Sequence, residues 1–298
     1  MRIVIVVNPV SGRGRALATS EKLTTLLVDR GHQVTIVASE PRDARSWLAA
    51  RLADTDAVAV VGGDGTVRSV AFTISEAGVP MVHVPQGNEN LFARSLGMGH
   101  RLEDSLALLE SGEETLIDVG CVDGKAMLLM ASIGLDAEIV SDVALNRGNQ
   151  VSNLDYLRAC LRNLHGRRPP QMTIVVDGEP VIAGQRGWVV VSNASEYGAQ
   201  VNPAPMARLD DQLLDMTFFR ASSGVEVFAW MARCRAGRQV GASGFVHRRS
   251  ACSVVITTSE PTRWQLDGDP PPDGASPKTD RLSISIWNRG LPVLTCRQ

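Results

Sequence analysis

The chain has 298 residues, 44% of them apolar, and a formal net charge of −2. That length is generous for one core and comfortable for two domains, and the composition supports a packed interior. The near-neutral balance excludes a general electrostatic grip on nucleic acid and leaves any attraction to anionic lipid to a local patch.

Five cysteines, Cys121, Cys160, Cys234, Cys252 and Cys296, are odd in number and none stands in a CxxC spacing. They argue against a zinc site or a disulfide framework and for reduced thiols in a cytoplasm. Residues 1–7 are too short for a signal-peptide core and run straight into the turn signal Asn8-Pro9. No uncharged apolar stretch reaches the ~18 residues that a membrane span needs.

The first ~120 residues alternate strand and helix signals. Residues 3–7 form a continuous β-branched run, as in a strand buried on both faces. A helix is predicted over 16–30 and stopped by Gly31, then a strand over 33–37, a helix over 44–52 and a strand over 57–61. A helix over 67–76 ends at Gly78, and a strand follows over 80–84. This rhythm predicts a Rossmann-like, doubly wound parallel sheet over residues 1–120.

The remainder, 121–298, reads as a β-sandwich-like domain. Short strands are predicted over 127–133, 171–177, 188–192, 214–219, 252–258, 262–266 and 282–287. Asp123-Gly124, Asp177-Gly178 and Asp267-Gly268 mark turns. Two helices interrupt the strands, one over 151–164 with Leu154, Leu157, Leu161 and Leu164 on one face, the other over 225–235. The Pro- and Gly-rich residues 270–277 read as a surface loop.

Three loops follow predicted strands of the first half, at the ends where open parallel sheets bind ligands. The first holds Asn8, Ser11, Gly12 and Gly14 before a helix start, which suits phosphate or a plain turn. The second is Gly62-Gly63-Asp64-Gly65-Thr66, whose glycines predict unusual backbone dihedrals or a close approach that a side chain would spoil. Asp64 suits Mg²⁺ through water, or capping, and the Thr66 hydroxyl suits a phosphate. In the third, Asn88 and Asn90 offer uncharged amides to ribose, base or phosphate, and Arg94 offers a cation, unless the segment is simply a capped helix start.

Together these loops resemble the diacylglycerol kinase catalytic domain of soluble bacterial lipid kinases and of sphingosine and ceramide kinases. That family carries Asn-Pro-x-Ser-Gly, Gly-Gly-Asp-Gly-Thr and Pro-x-Gly-Thr-x-Asn-Asp-x-Ala-Arg. Gly134-Leu135-Asp136 is similar to its Gly-x-Asp. Residues 204–215 are similar to its Pro-x-Ala…Asp-Gly-Leu-Leu-Asp stretch, and Asp267-Gly268-Asp269 stands at its Asp-Gly-Glu. The resemblance implies an α/β nucleotide domain, a β-sandwich and an active site between them. It also implies ATP and Mg²⁺ as cofactors, and a lipid alcohol such as diacylglycerol as substrate. It assigns Gly62, Gly63, Asp64, Gly65, Thr66, Val67 and Arg68 to the nucleotide and puts Asn88 at a threonine that touches ATP. It places a structural Mg²⁺ on Arg208, Asp211 and Leu213, the first and last through carbonyls, and the general base at Asp269.

This chain departs from the pattern at Asn88 for Thr, Leu91 for an acid, Gln212 for Gly and Asp269 for Glu. The shorter Asp269 leaves Asp267 as a rival base, since a base must come within ~2.6–3.2 Å of its proton; Asp267-Gly268 also reads as a hairpin turn. The departures keep open a nucleotide- or lipid-binding relative without turnover, and the shared glycine loop keeps open an NAD kinase. A lipid kinase of this kind would be cytoplasmic and transiently at the membrane surface. Arg158, Arg162, Arg167 and Arg168 beside the leucine face, or Phe228, Trp230, Arg233, Arg235, Arg238, Phe245, Arg248 and Arg249, are the two candidate docking groups. Each also reads as an ordinary solvated face, and a homodimer is one assembly left open.

Overall fold

The computed structural model describes residues 1–145, 168–198, 200–271 and 278–296. The helix predicted over 151–164, with Arg158, Arg162, Arg167 and Cys160, and residues 272–277 of the predicted surface loop lie outside the described residues; Arg168 of the same docking group is described and exposed.

The chain runs β1 (Arg2–Val7), α1 (Arg15–Asp29), β2 (Gln33–Ala38), α2 (Ala49–Leu52), β3 (Ala57–Gly62), α3 (Asp64–Ala77), β4 (Met81–Pro85), α4 (Leu91–Ser95), α5 (Leu102–Ser111) and β5 (Glu113–Ile117). It continues with β6 (Gly120–Val122), β7 (Lys125–Met127), β8 (Met130–Ile133), α6 (Leu135–Leu145), β9 (Gln171–Val176), β10 (Glu179–Ser192) and β11 (Leu214–Arg220). Then come α7 (Gly224–Arg235), β12 (Phe245–Ser250), β13 (Ser253–Leu266), β14 (Lys278–Ile286) and β15 (Leu291–Thr295). Two compact units result, Met1–Val119 with Trp287–Gln298, and Gly120–Ile286.

In the first unit the sheet order is β2-β1-β3-β4-β15-β5. β1 pairs in parallel with both β2 and β3, and β3 with β4. The chain leaves β1 toward β2 and returns on its other side with β3, so the topological switch point lies between β1 and β3. β1, β3 and β4 are buried along nearly their whole length, which is why they read as unbroken apolar runs. The helix expected over 44–52 is a 3₁₀ turn, Ala44–Ser46, followed by the short α2. The Asp43 carboxylate caps that turn by accepting from the Arg45 N–H at 3.1 Å.

The expectation that residues 121–298 all belong to the second domain needs correction. β15 enters the first sheet, touching β4 in parallel and β5 in antiparallel register, and every one of its residues is buried. A strand that arrives from far along the chain carries no local βαβ rhythm to announce it.

In the second unit, β10 and β13 are each 14 residues long and take part in two sheets. Their one ends pair with β9 and their other ends with β8. Register shifts bend them midway, as corner strands of sandwiches do. The predicted strands over 252–258 and 262–266 are therefore one strand. Between the sheets lies a core that includes Met172, Ile174, Val189, Val191, Phe218, Ile256 and Ile284. The three Asp-Gly pairs all form turns with both residues at positive φ, the geometry that matches the twist of a hairpin. The predicted strand over 127–133 is interrupted at Leu128 and Leu129, and α6 follows Gly134 unannounced.

Candidate functional site

Three loops leave the carboxyl ends of β1, β3 and β4 and touch pairwise. The Asn8 Nδ2 amide donates to Thr66 Oγ1 at 3.1 Å, joining the first loop to the second. A Cβ on Gly63 would stand 3.1 Å from Gly87 Cα, and one on Gly87 would stand 2.8 Å from Gly63 Cα, so the second and third loops meet glycine to glycine. A Cβ on Gly12 would stand 2.8 Å from the Gln86 carbonyl oxygen, joining the first loop to the third.

Of the two expectations for the second loop, unusual dihedrals or close approach, its glycines meet the second. Gly62, Gly63 and Gly65 are absent from the positive-φ residues, and Gly63 is extended at φ −99°, ψ −177°. Positive φ occurs in the first loop, where Gly12, Arg13 and Gly14 lie at 58°, 62° and 83° just before α1.

Gly63 is also the N-cap of the 14-residue α3, with no side chain over the helix end. The first amides of that helix and its dipole make this a natural anion site.

Asp64 opens α3 and its carboxylate accepts the N–H groups of Leu91 at 2.9 Å and Phe92 at 3.0 Å. It caps α4 across the loops, the second of the two roles its position allows. Asn90, at φ 49° and buried, closes the third loop: its Oδ1 accepts from Gly87 N at 2.8 Å and its Nδ2 donates to Gly87 O at 3.0 Å. Its amide is thus spent inside the loop, whereas Asn88 is exposed. The Val67 side chain is wholly in the core, and the buried Thr66 hydroxyl faces Asn8. Ser11 is half-buried and Arg68 stands one turn into α3. Arg94 pairs with Glu89 at 3.3 Å, and Leu91 is a core residue.

Sequence reasoning passed over His83. It is fully buried on β4, with Nε2 3.0 Å from the Gly62 carbonyl and Nδ1 without a partner. Burial pushes its pKa down to about 4, so the ring is neutral and Nε2–H donates. The Gln86 N–H donates to the same carbonyl at 2.7 Å. The only local signal was a lone polar residue inside an apolar strand.

In the second unit, Asp267 and Gly268 are the two central residues of a tight turn closed by Leu266 and Asp269. The Asp267 carboxylate is buried and accepts three N–H groups, Leu128 at 3.1 Å, Leu129 at 2.8 Å and Met130 at 3.1 Å. That is what breaks the strand predicted over 127–133. Asp269, at the exit of the turn, is half-buried.

The turn also rests on a buried polar chain. Gln265 Oε1 accepts from Gly268 N at 2.8 Å, while Gln265 Nε2 donates to Ser132 Oγ at 2.9 Å and lies 3.3 Å from the Tyr197 hydroxyl. Ser132 and Tyr197 both donate to Asp136 Oδ2, the latter at 2.6 Å. Burial pushes the Asp136 carboxyl above its usual range, against the pull of those two hydrogen bonds.

The set assigned to a structural Mg²⁺ does not fit that ion. Asp211 Oδ1 accepts from Leu213 N at 3.2 Å and Oδ2 is ion-paired with Arg249. Among the described residues no group of three or more His, Cys, Asp or Glu side chains could hold a metal.

Of the second docking group, Trp230 is buried against Phe219 and donates to the Arg220 carbonyl, and Phe245 packs on the same ring. Its exposed part is Arg233, Arg235, Arg238, Arg248 and Arg249. No helix among the described residues is long and apolar enough to cross a membrane.

Comparison with known proteins gives consistent results. Residues 2–122 match the diacylglycerol kinase catalytic domain, and residues 130–286 match the YegS C-terminal NAD kinase beta sandwich-like domain. A diacylglycerol kinase of Mycobacterium tuberculosis (strain ATCC 25618 / H37Rv) is 30% identical over 230 residues, 74% of each chain. That of Bacillus subtilis (strain 168) is 24% identical over 275 residues, covering 90% of this chain and 89% of the other. A crystal structure of a diacylglycerol kinase from Bacillus anthracis str. Sterne superposes with a TM-score of 0.67 at 18% identity, over 99% of this chain and 96% of that one. This last likeness concerns the fold alone.

Proposed function

We propose that this chain, which belongs to the diacylglycerol kinase family, moves the γ-phosphoryl group of ATP onto a hydroxyl of a lipid. The observation that carries the reading is the three-way contact of the loops after β1, β3 and β4, through Asn8–Thr66, Gly63–Gly87 and Gly12–Gln86. Bare backbone at the head of α3 offers amide N–H groups to phosphate oxygens, with Asn88 and Arg68 as the assigned side chains.

Phosphoryl transfer asks a protein mainly for placement and charge neutralisation. Asp269 takes the proton of the acceptor hydroxyl in this reading. Its rival Asp267 has both carboxylate oxygens committed to the amides of Leu128, Leu129 and Met130. Magnesium enters as the counter-ion that the nucleotide phosphates themselves hold, with no protein ligand assigned to it. Exposed Arg233, Arg238 and Arg248 are the proposed contact with an anionic lipid surface.

The test is radiolabelled ATP with diacylglycerol, monoacylglycerol, ceramide, sphingosine and phosphatidylglycerol in mixed micelles, with NAD as a further acceptor. Label on one lipid, lost in Asp269→Asn, is the expected result. ATP binding without transfer to any lipid would make the chain a binding protein, and label on NAD would replace the lipid as acceptor.

A further inference from the structure

We propose that the Arg249 guanidinium is the resident counter-ion of the loop bearing Arg208, Asp211 and Leu213, standing where the family resemblance puts a structural divalent cation. The loop then keeps its shape without metal.

β11 and β12 pair in antiparallel register with Asp215 opposite Arg249 and Thr217 opposite His247. Arg249 therefore emerges on the same face as Asp215, one strand away from the loop that precedes β11. Its Nη2 donates to Asp211 Oδ2, and its Nε lies 3.7 Å from Asp215 Oδ1. The Asp215 side chain is 0% exposed, and the same oxygen is 2.5 Å from His247 Nε2. Its other oxygen, Oδ2, is buried with no hydrogen-bond partner. One always-charged guanidinium thus serves two carboxylates, one on the loop and one at the start of the following strand.

A magnesium ion would need near-octahedral oxygen ligands at about 2.0–2.1 Å, and the Asp211 carboxylate is already divided between Leu213 N–H and Arg249. To bind there, the ion would have to displace a cation of its own sign. The loop also has something to hold. Gln212 sits at φ 58° where the resemblance expects glycine, a conformation that strains a residue bearing a side chain. The Asp211–Leu213 hydrogen bond spans that strained residue, and the Arg249 ion pair anchors Asp211 just before it.

Thermal unfolding without nucleotide tests this, in chelator and in excess Mg²⁺ or Ca²⁺, for the parent, Arg249→Met, Arg249→Lys, Asp211→Asn and the double variant Asp211→Asn/Arg249→Met. The parent Tm is expected to be the same with and without metal. Arg249→Met is expected to unfold several degrees lower in chelator and to recover part of the loss in the divalent ion, and the double variant is expected not to recover. Arg249→Lys, which keeps the charge, is expected to lie between parent and Arg249→Met, and it carries the test if Arg249→Met fails to fold. A parent Tm that rises with metal and no longer rises in Asp211→Asn overturns the proposal. So does an Arg249→Met protein as stable in chelator as the parent, a loss that no divalent ion recovers, or an Arg249→Lys protein no more stable than Arg249→Met. None of these readouts depends on kinase activity.

Discussion

Asp64 and Asp267 do the same job in different surroundings. Each is the acid of a glycine-containing loop, and each spends its carboxylate on the backbone amides of another segment, residues 91–92 in one case and 128–130 in the other. Around Asp64 the precision comes from missing side chains, since Gly63 and Gly87 lie almost in contact. Around Asp267 it comes from charge and hydrogen bonding: a Cβ on Gly268 would meet nothing within 4 Å, and Gln265 ties that residue's N–H to the buried chain of Ser132, Tyr197 and Asp136. The first region should break when volume is added, and the second when a carboxylate is removed.

The largest effect is expected from Gly63→Val. Its branched side chain has no room beside Gly87, so ATP binding should vanish by titration calorimetry while urea unfolding stays cooperative. Unchanged affinity would show that the loop contact is not the nucleotide cradle.

Next come the two acids of the turn. Asp269→Asn should lower kcat about 10²–10⁴-fold with ATP affinity and Tm nearly unchanged. Asp267→Ala should instead cost stability, roughly 3 kcal/mol, because three buried amides lose their acceptor. If the two variants exchange phenotypes in single-turnover and urea experiments, Asp267 is the base.

His83 sharpens the contrast through pH. Its folded pKa of about 4 lies below the ordinary value of 6.5, so the unfolded chain binds the extra proton between those limits. Stability should be constant for this group above pH ~6.5 and fall as pH drops toward 4, by about 3 kcal/mol in all. His83→Gln, which keeps a donor for the Gly62 carbonyl, should flatten that slope in urea titrations at pH 7 and pH 4.5. An equal slope in both proteins would move the acid sensitivity elsewhere.

The smallest effect concerns the exposed arginines of α7 and β12. Charge reversal of Arg233, Arg238 and Arg248 should weaken sedimentation with anionic vesicles by about 1 kcal/mol for each residue, and less at high salt. Sedimentation equal to the parent's at low salt would leave these residues without a role at the membrane.

Local patterns carried much of this molecule. The β-branched runs of β1 and β3 and the glycines after them are short-range statements, because strands buried on both faces tolerate little else and loops that approach one another closely exclude side chains. The three Asp-Gly turns were equally legible, since few residue pairs accept positive φ twice in succession. The family resemblance rests on such blocks, which is why the α/β-plus-sandwich plan could be stated from the sequence.

Only the tertiary structure decided what each polar side chain does. Asn88 and Asn90 are the same residue type two positions apart, yet one is exposed and the other is consumed by Gly87. Asp267 and Asp269 differ likewise, because the amides of residues 128–130 reach only the first. The role of His83 depends on a carbonyl 21 residues away, the pairing of Asp211 on an arginine 38 residues away, and the place of β15 on a strand whose paired residue, Met81, precedes Val293 by 212 positions. Hydrogen bonds and ion pairs act over a few ångströms of space whatever the distance along the chain, so spacing can nominate their members but only the folded arrangement pairs them.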